Sequence, residues 1–313
     1  MSTNSINPHL ILPVGTQVVV QVEVRGPDGG IVHPSGAVGV VTSSPADAWH
    51  SYRVRFPDGF EGNFKRQELA ILAQYQSGAI GGTHVLSQYN LFDHVIYRCI
   101  VGSRAYGLDD RESDIDRRGI YLPPAQLHWS LYGVPEQLDN SATEETYWEI
   151  QKFLTLALKA NPNVLECLYT PLIEHATPLV RDLLAMREKF LSRMVYQTYN
   201  GYVMSQFKKL QADLRNKGEV KWKHVMHLLR LLLAGIGVLR EGVVPVAMGE
   251  HRERLLAIKR GEIPFEKVEQ WRLELHQQFD AAFQSTRLPQ RPDYAAANEF
   301  LLRARREALE ITP

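Results

Sequence analysis

The chain has 313 residues, more than one small hydrophobic core usually organises, and typical domain sizes divide such a length into two or three units. An apolar share of 44% and a charged share of 22% are ordinary for globular proteins and exclude a disordered or fibrous chain. Lys plus Arg and Asp plus Glu balance at 35 each, which argues against a protein that coats nucleic acid through its overall charge and leaves open a local basic face.

The N-terminal stretch MSTNSINPHLILPVG has no positive start and no long apolar run, so it does not read as a signal peptide. Cys99 and Cys167 are the only cysteines and neither sits in a CxxC spacing, which predicts buried, reduced residues and a cytoplasmic protein. From Gly15 to Leu72 short β-rich runs (TQVVVQVEVRG, GAVGVVTSS, SYRVRF, FEGNF) alternate with Gly, Pro and Asp. Pro57-Asp58-Gly59 predicts a hairpin between the last two, because Pro presets a turn and Gly permits positive φ. Residues 1–75 are thus expected to form a small β-barrel, and the texture resembles SH3-like and KOW-type modules. The segment Gln74 to Ser87, with QSGAIGGTH, is rich in Gly and Ser without apolar period and is expected to be a linker.

Next, HVIYRCIV predicts a strand that ends at Val101 and is followed at once by GSRAYG, a glycine turn opening a helix. SDIDRRGIYLPP reads as a second strand, closed by Pro123-Pro124. ATEETYW then runs into an amphipathic helix, EIQKFLTLALKA, which Asn161-Pro162 stops. This α+β region is assigned to residues 85–175. Residues 176–313 are predicted to be helical, starting with Thr177 as cap and Pro178 at the first helical position. Further helices are expected over Arg193–Asn216, Val220–Glu241, His251–Arg260, Phe265–Ser285 and Tyr294–Leu309, with Gly242 and Gly261 as C-terminal caps. The longest apolar stretch, LLRLLLAGIGVL, is interrupted by Arg230 and is too short to span a bilayer, so a buried helix and no membrane role are expected.

Asp114 and Asp116 stand at i and i+2, and on a strand such residues share a face about 7 Å apart. Two carboxylates so placed suit Mg²⁺, which prefers oxygen ligands and completes its shell with substrate phosphates. Gly102-Ser103 presents backbone N–H groups and a hydroxyl where a strand passes into a helix, a natural place for an anion. Arg118 shares the face of the aspartates by alternation and suits either phosphate neutralisation or a structural counter-ion role. Asp109, Asp110, Arg111 and Glu112 read as solvated loop charge, and Trp129, Trp148 and Phe153 as packing residues. Lys223, His227 and Arg230, at i, i+4 and i+7, form one polar stripe on an otherwise apolar helix, the pattern of a solvated face.

GSRAYGLDDRESDID resembles the signature of the DNA polymerase beta-like nucleotidyltransferase superfamily, in which a Gly-Ser turn precedes two acidic residues on the next strand. SDIDRRGIYLPP, YWEIQKFLTLALKANPNVLECLY and KHVMHLLRLLLAGIGVLREG extend the resemblance, over about residues 90 to 260, to a prokaryotic branch linked to RNA repair. It implies a nucleotidyltransferase core of mixed sheet and helices, followed by a helical bundle. It further implies that Gly102 and Ser103 hold the triphosphate while Asp114 and Asp116 ligate two Mg²⁺ ions, with Mn²⁺ as substitute. A third carboxylate is expected on the following strand, among Glu144, Glu145 and Glu149; the distance to Lys152-Phe153 favours Glu144. The helix bearing Lys223, His227 and Arg230 corresponds to one with a similar stripe that faces nucleotide or acceptor.

The implied reaction moves a nucleoside monophosphate from a nucleoside triphosphate to an acceptor hydroxyl, favouring an RNA 3′ end, with pyrophosphate released. Transfer to a protein or small molecule, and a non-catalytic module that senses nucleotide and binds RNA or protein, are the alternatives. A phosphohydrolase is disfavoured because no HD pair or His cluster accompanies the carboxylates.

Overall fold

The computed structural model describes residues 12–27, 29–45, 50–73, 75, 86, 88–110, 113–217 and 220–311. The chain divides into two compact units, Met1–Gln88 and Tyr89–Pro313. The segment read as a linker lies mostly outside the described residues, as do Arg111 and Glu112.

In the first unit, strands β1 (Gln17–Val20), β4 (Val38–Ser43), β5 (Tyr52–Arg55), β6 (Glu61–Phe64) and β7 (Leu69–Ile71) form an antiparallel sheet of order β6-β5-β4-β1-β7, while β2 (Val24–Arg25) and β3 (Ile31–His33) pair with each other. Alternation along β5 buries Tyr52 and Val54 and exposes Arg53 and Arg55, as period 2 requires. The predicted hairpin forms: Gly59 takes φ +91° and its N–H donates to the Phe56 carbonyl at 2.9 Å. The expected closed barrel does not appear among the described residues. The five-stranded sheet is open, because its edge strands β6 and β7 are only four and three residues long and no ladder joins them.

The second unit is α+β. Its sheet has the order β10-β11-β9-β8-β12, with β8 Val95–Val101, β9 Asp116–Tyr121, β10 Gln137–Asn140, β11 Glu145–Glu149 and β12 Ile173–Ala176. It is mixed, since β11 runs parallel to β9 while the other neighbours are antiparallel. At Gly119 a Cβ would lie 1.8 Å from the Tyr97 carbonyl oxygen, so only glycine lets β9 approach β8 there. Short helices α1 (Gly102–Tyr106) and α2 (Ala125–Trp129) flank β9, and α3 (Ile150–Leu158) and α4 (Pro162–Tyr169) follow β11. Then come α5 (Pro178–Ala185), α6 (Met194–Lys217), α7 (Trp222–Glu241), α8 (Arg252–Lys259), α9 (Phe265–Ser285) and α10 (Tyr294–Glu307). Their ends follow local chemistry: the Thr177 hydroxyl accepts from Val180 N–H before α5, and Gly242 closes α7 at φ +69°.

One hydrophobic core runs from the sheet (Ile96, Cys99, Ile120) through Phe153 and Leu165 to Leu229, Leu232, Phe279 and Phe300 on the later helices. By length and composition α7 is apolar enough to cross a membrane, yet its leucines are part of this core. Among the packing aromatics expected from sequence, Trp148 and Phe153 are buried, but Trp129 is 63% exposed because α2 ends there at the surface.

Candidate active site

Strand β8 stops at Val101, and the chain turns into α1 through Gly102 at φ +72°. Gly107, at φ +69°, releases it again after five helical residues. Val101 pairs with Asp116 across the β8–β9 ladder, so the turn and that carboxylate are brought together by sheet register. The contact is close: a Cβ at Gly102 would stand 2.3 Å from Asp116 Oδ2. Glycine is therefore needed twice there, for its positive φ and for its missing side chain.

The two aspartates were expected on one strand. The strand begins only at Asp116, because β8 ends at Val101 and offers Asp114 no ladder partner. Just before Asp114, Ser113 N–H donates to the Asp110 carbonyl (3.1 Å) and Ser113 Oγ to Asp110 Oδ1 (2.8 Å). Arg104 ties Ser113 to α1 by donating to its carbonyl at 3.0 Å. Both carboxylates still reach one cavity of about 560 Å³, which Gly102, Ser103 and Arg118 also line. Nη2 of Arg118 lies 3.3 Å from Asp116 Oδ1, and its Nη1 donates to the carbonyls of Arg117 (2.8 Å) and Glu144 (2.9 Å), so the guanidinium is braced beside the aspartate.

Lys223, His227 and Arg230 face the same cavity from α7. Arg230 is no solvated stripe residue: its side chain is 6% exposed and pairs with Glu166, 2% exposed, on α4. Tyr106, the last residue of α1, donates its hydroxyl to Glu166 Oε2 at 2.5 Å, and the Arg230 guanidinium lies 3.9 Å from the Tyr106 ring centre. Burial, then the neighbouring Glu166, pushes the Tyr106 hydroxyl well above its usual range. Burial opposes the charge on Arg230, but Glu166 and the buried tyrosines outweigh it and hold the guanidinium protonated. This triad ties the glycine turn to α4 and α7. His227 is lowered to about 4, chiefly by burial and then by Arg230, Lys223, His224 and Lys259, so at neutral pH it is an uncharged imidazole.

Glu144 does not line the cavity. It occupies an exposed turn at φ +54° before β11, and its backbone carbonyl rather than its carboxylate meets Arg117 N–H (3.0 Å) and Arg118. Glu145 pairs in register with Arg117, and Glu149 is buried where it caps α3 and meets Arg305 at 2.7 Å. Residues that sequence reasoning left out do line it. Glu166 is the last residue of the NPNVLE motif, so its position was visible although its role was not. Lys259 of α8 bonds Asp110 at 3.0 Å, so Asp110 is paired at the cavity rather than merely solvated.

The donor chemistry fits a divalent cation. Asp114 and Asp116 supply hard oxygens, and among the described residues no cluster of three metal-binding side chains forms, so remaining ligands would come from water and phosphate. In the same cavity, Lys223 and Lys259 present charge suited to a polyphosphate.

Comparison with known proteins identifies the family. The family described as the RNA repair pathway DNA polymerase beta family matches residues 76–303. A curated relative, the uncharacterized protein YcgL of Bacillus subtilis (strain 168), is 27% identical over 154 residues, which cover 48% of this chain and 58% of the relative.

Proposed function

As this chain belongs to the RNA repair pathway DNA polymerase beta family, we propose that it transfers a nucleoside monophosphate from a nucleoside triphosphate to the 3′ hydroxyl of an RNA. The observation that carries the reading is the Asp116 carboxylate seated against the Gly102 turn, in one cavity with Asp114, Lys223 and Lys259. In the transfer, the acceptor hydroxyl gives its proton to a carboxylate, Glu144 in this reading, and its oxygen bonds to the α-phosphorus as the bond to the departing pyrophosphate breaks.

The Gly102-Ser103 turn binds the triphosphate with backbone N–H groups and a hydroxyl. Lys223 and Lys259 neutralise its charge, and the neutral His227 donates or accepts a hydrogen bond without adding charge. Arg118 steadies Asp116. Asp114 and Asp116 would hold Mg²⁺, or Mn²⁺, whose chemistry when bound as a pair is Lewis-acid polarisation of the α-phosphate and the acceptor oxygen. Glu144 is the third carboxylate of this reading: because Glu145 pairs with Arg117, the ladder brings Glu144 next to Asp116, on an exposed turn. The N-terminal unit is read as an SH3-like acceptor-recognition module, supported by the exposed Arg53 on its sheet.

The test is incubation of the protein and MgCl₂ with each α-labelled nucleoside triphosphate and total RNA. Label joined to RNA 3′ ends with pyrophosphate released supports the reading. Label on protein, or bound nucleotide that never turns over, replaces it with one of its alternatives.

A further inference from the structure

Among the residues that line the cavity are Asn163 at the start of α4 and Tyr202 and Gln206 on α6. Tyr202 and Gln206 are four residues apart on one helix and so stack on the same face. The chemistry of the three is neutral, two carboxamides and a phenol, in a cavity that also holds the charged Asp114, Asp116, Glu166, Lys223, Arg230 and Lys259.

The polarity of this group is partly fixed by the fold. Asn161 caps α4, and its Oδ1 accepts from the N–H groups of Asn163 (3.0 Å) and Val164 (3.3 Å). That role determines which way the Asn161 amide points, so its Nδ2 must donate, and it donates to the Tyr202 hydroxyl oxygen at 2.7 Å. The phenol oxygen is thereby committed as acceptor, which leaves its hydrogen as a donor. The side-chain amides of Asn163 and Gln206 have no hydrogen-bond partner among the described residues. Buried Met226 lines the same cavity and adds apolar surface. A pre-set donor, two uncommitted amides and an apolar neighbour are the groups that recognise the edge and face of a nucleobase.

We propose that Asn163, Tyr202 and Gln206 form a base-reading wall that selects the incoming nucleoside triphosphate by its base. The proposal rests on the nucleotidyltransferase reading and adds to it where specificity lies. The triphosphate is held by charge at the glycine turn and the lysines, and base identity is decided by hydrogen bonds from these three side chains. Such a wall penalises a base that leaves its groups unpaired, whereas the phosphate contacts are shared by every nucleotide.

The experiment is calorimetric titration of the full chain, in MgCl₂, with ATP, GTP, CTP, UTP and inorganic tripolyphosphate, for the natural protein and for Tyr202→Phe, Gln206→Ala and Asn163→Ala. One nucleoside triphosphate is expected to bind roughly tenfold or more tighter than the weakest. Each substitution should weaken that ligand roughly three- to tenfold, as loss of one neutral hydrogen bond does, and leave tripolyphosphate affinity unchanged. The tripolyphosphate arm also reports that each variant is folded, and Asn163, which is exposed, is the substitution least able to disturb the core. Equal affinity for all four triphosphates, or parallel losses for tripolyphosphate, overturns the wall while leaving the phosphate site intact. Failure of the natural protein to bind either class of ligand overturns the nucleotidyltransferase reading itself.

Discussion

Replacing Glu166 by Leu removes the carboxylate that holds both Tyr106 and Arg230 at the floor of the cavity. With side chains 2% and 6% exposed, Glu166 and Arg230 have almost no water to take over their interactions. The Nε of Arg230 already lacks a partner, so the substitution strands a buried guanidinium against the Tyr106 ring alone. Breaking such a pair from one side costs about 3–5 kcal/mol, whereas replacing both partners with apolar groups of similar volume is often near neutral. For a unit of this size each kcal/mol lowers Tm by about 2–4 °C, so Glu166→Leu should lower it by roughly 6–20 °C. Glu166→Leu combined with Arg230→Met should recover most of that loss. Urea unfolding followed by tryptophan fluorescence gives both free energies. The reasoning is refuted if the single variant loses under about 1 kcal/mol, or if the double variant is no more stable than the single one.

Asp114→Ala and Asp116→Ala should each abolish Mg²⁺-dependent transfer while thermal unfolding stays nearly unchanged, since both carboxylates lie at the cavity surface; full activity in either variant would sink the proposed mechanism. Ser103→Ala removes one of several phosphate contacts, and its kcat/KM should fall roughly ten- to a hundredfold, the worth of one hydrogen bond to a charged group. Gly102→Ala forces a left-handed φ of +72° on alanine and a 2.3 Å approach to Asp116 Oδ2, so nucleotide binding measured by calorimetry should collapse before the fold does. His227 has its folded pKa depressed to about 4 from 6.5, so its contribution to stability is complete above 6.5 and is lost as pH falls toward 4. The loss is at most about 3 kcal/mol and less after solvent screening; His227→Gln should flatten that part of the stability-versus-pH curve, and an unchanged curve would show that the imidazole is not buried neutral.

The features legible in the sequence are those that neighbouring residues decide. The strand ending at Val101, the glycine turn, the i, i+2 aspartates and the capped helices from Thr177 to Gly242 follow from periods of 2 and 3.6 residues and from the φ values that Gly and Pro allow. The family resemblance is carried by the same local motifs, NPNVLE among them. What tertiary structure decided are the partnerships between distant segments. Asp114 left the strand because β8 was too short to pair with it, and Glu144 meets Arg117 and Arg118 through its backbone carbonyl. Arg230 became a buried anchor because α4 brought Glu166 beneath it, and Asp110 became half of a pair because α8 delivered Lys259. In the first unit the strands were foreseeable one by one, yet whether their sheet closed depended on edges that never meet within a local window. A residue's backbone preference is set within a few positions of it, but the charge or carbonyl that its side chain meets comes from segments tens to hundreds of residues away, and only packing of the whole core selects among them.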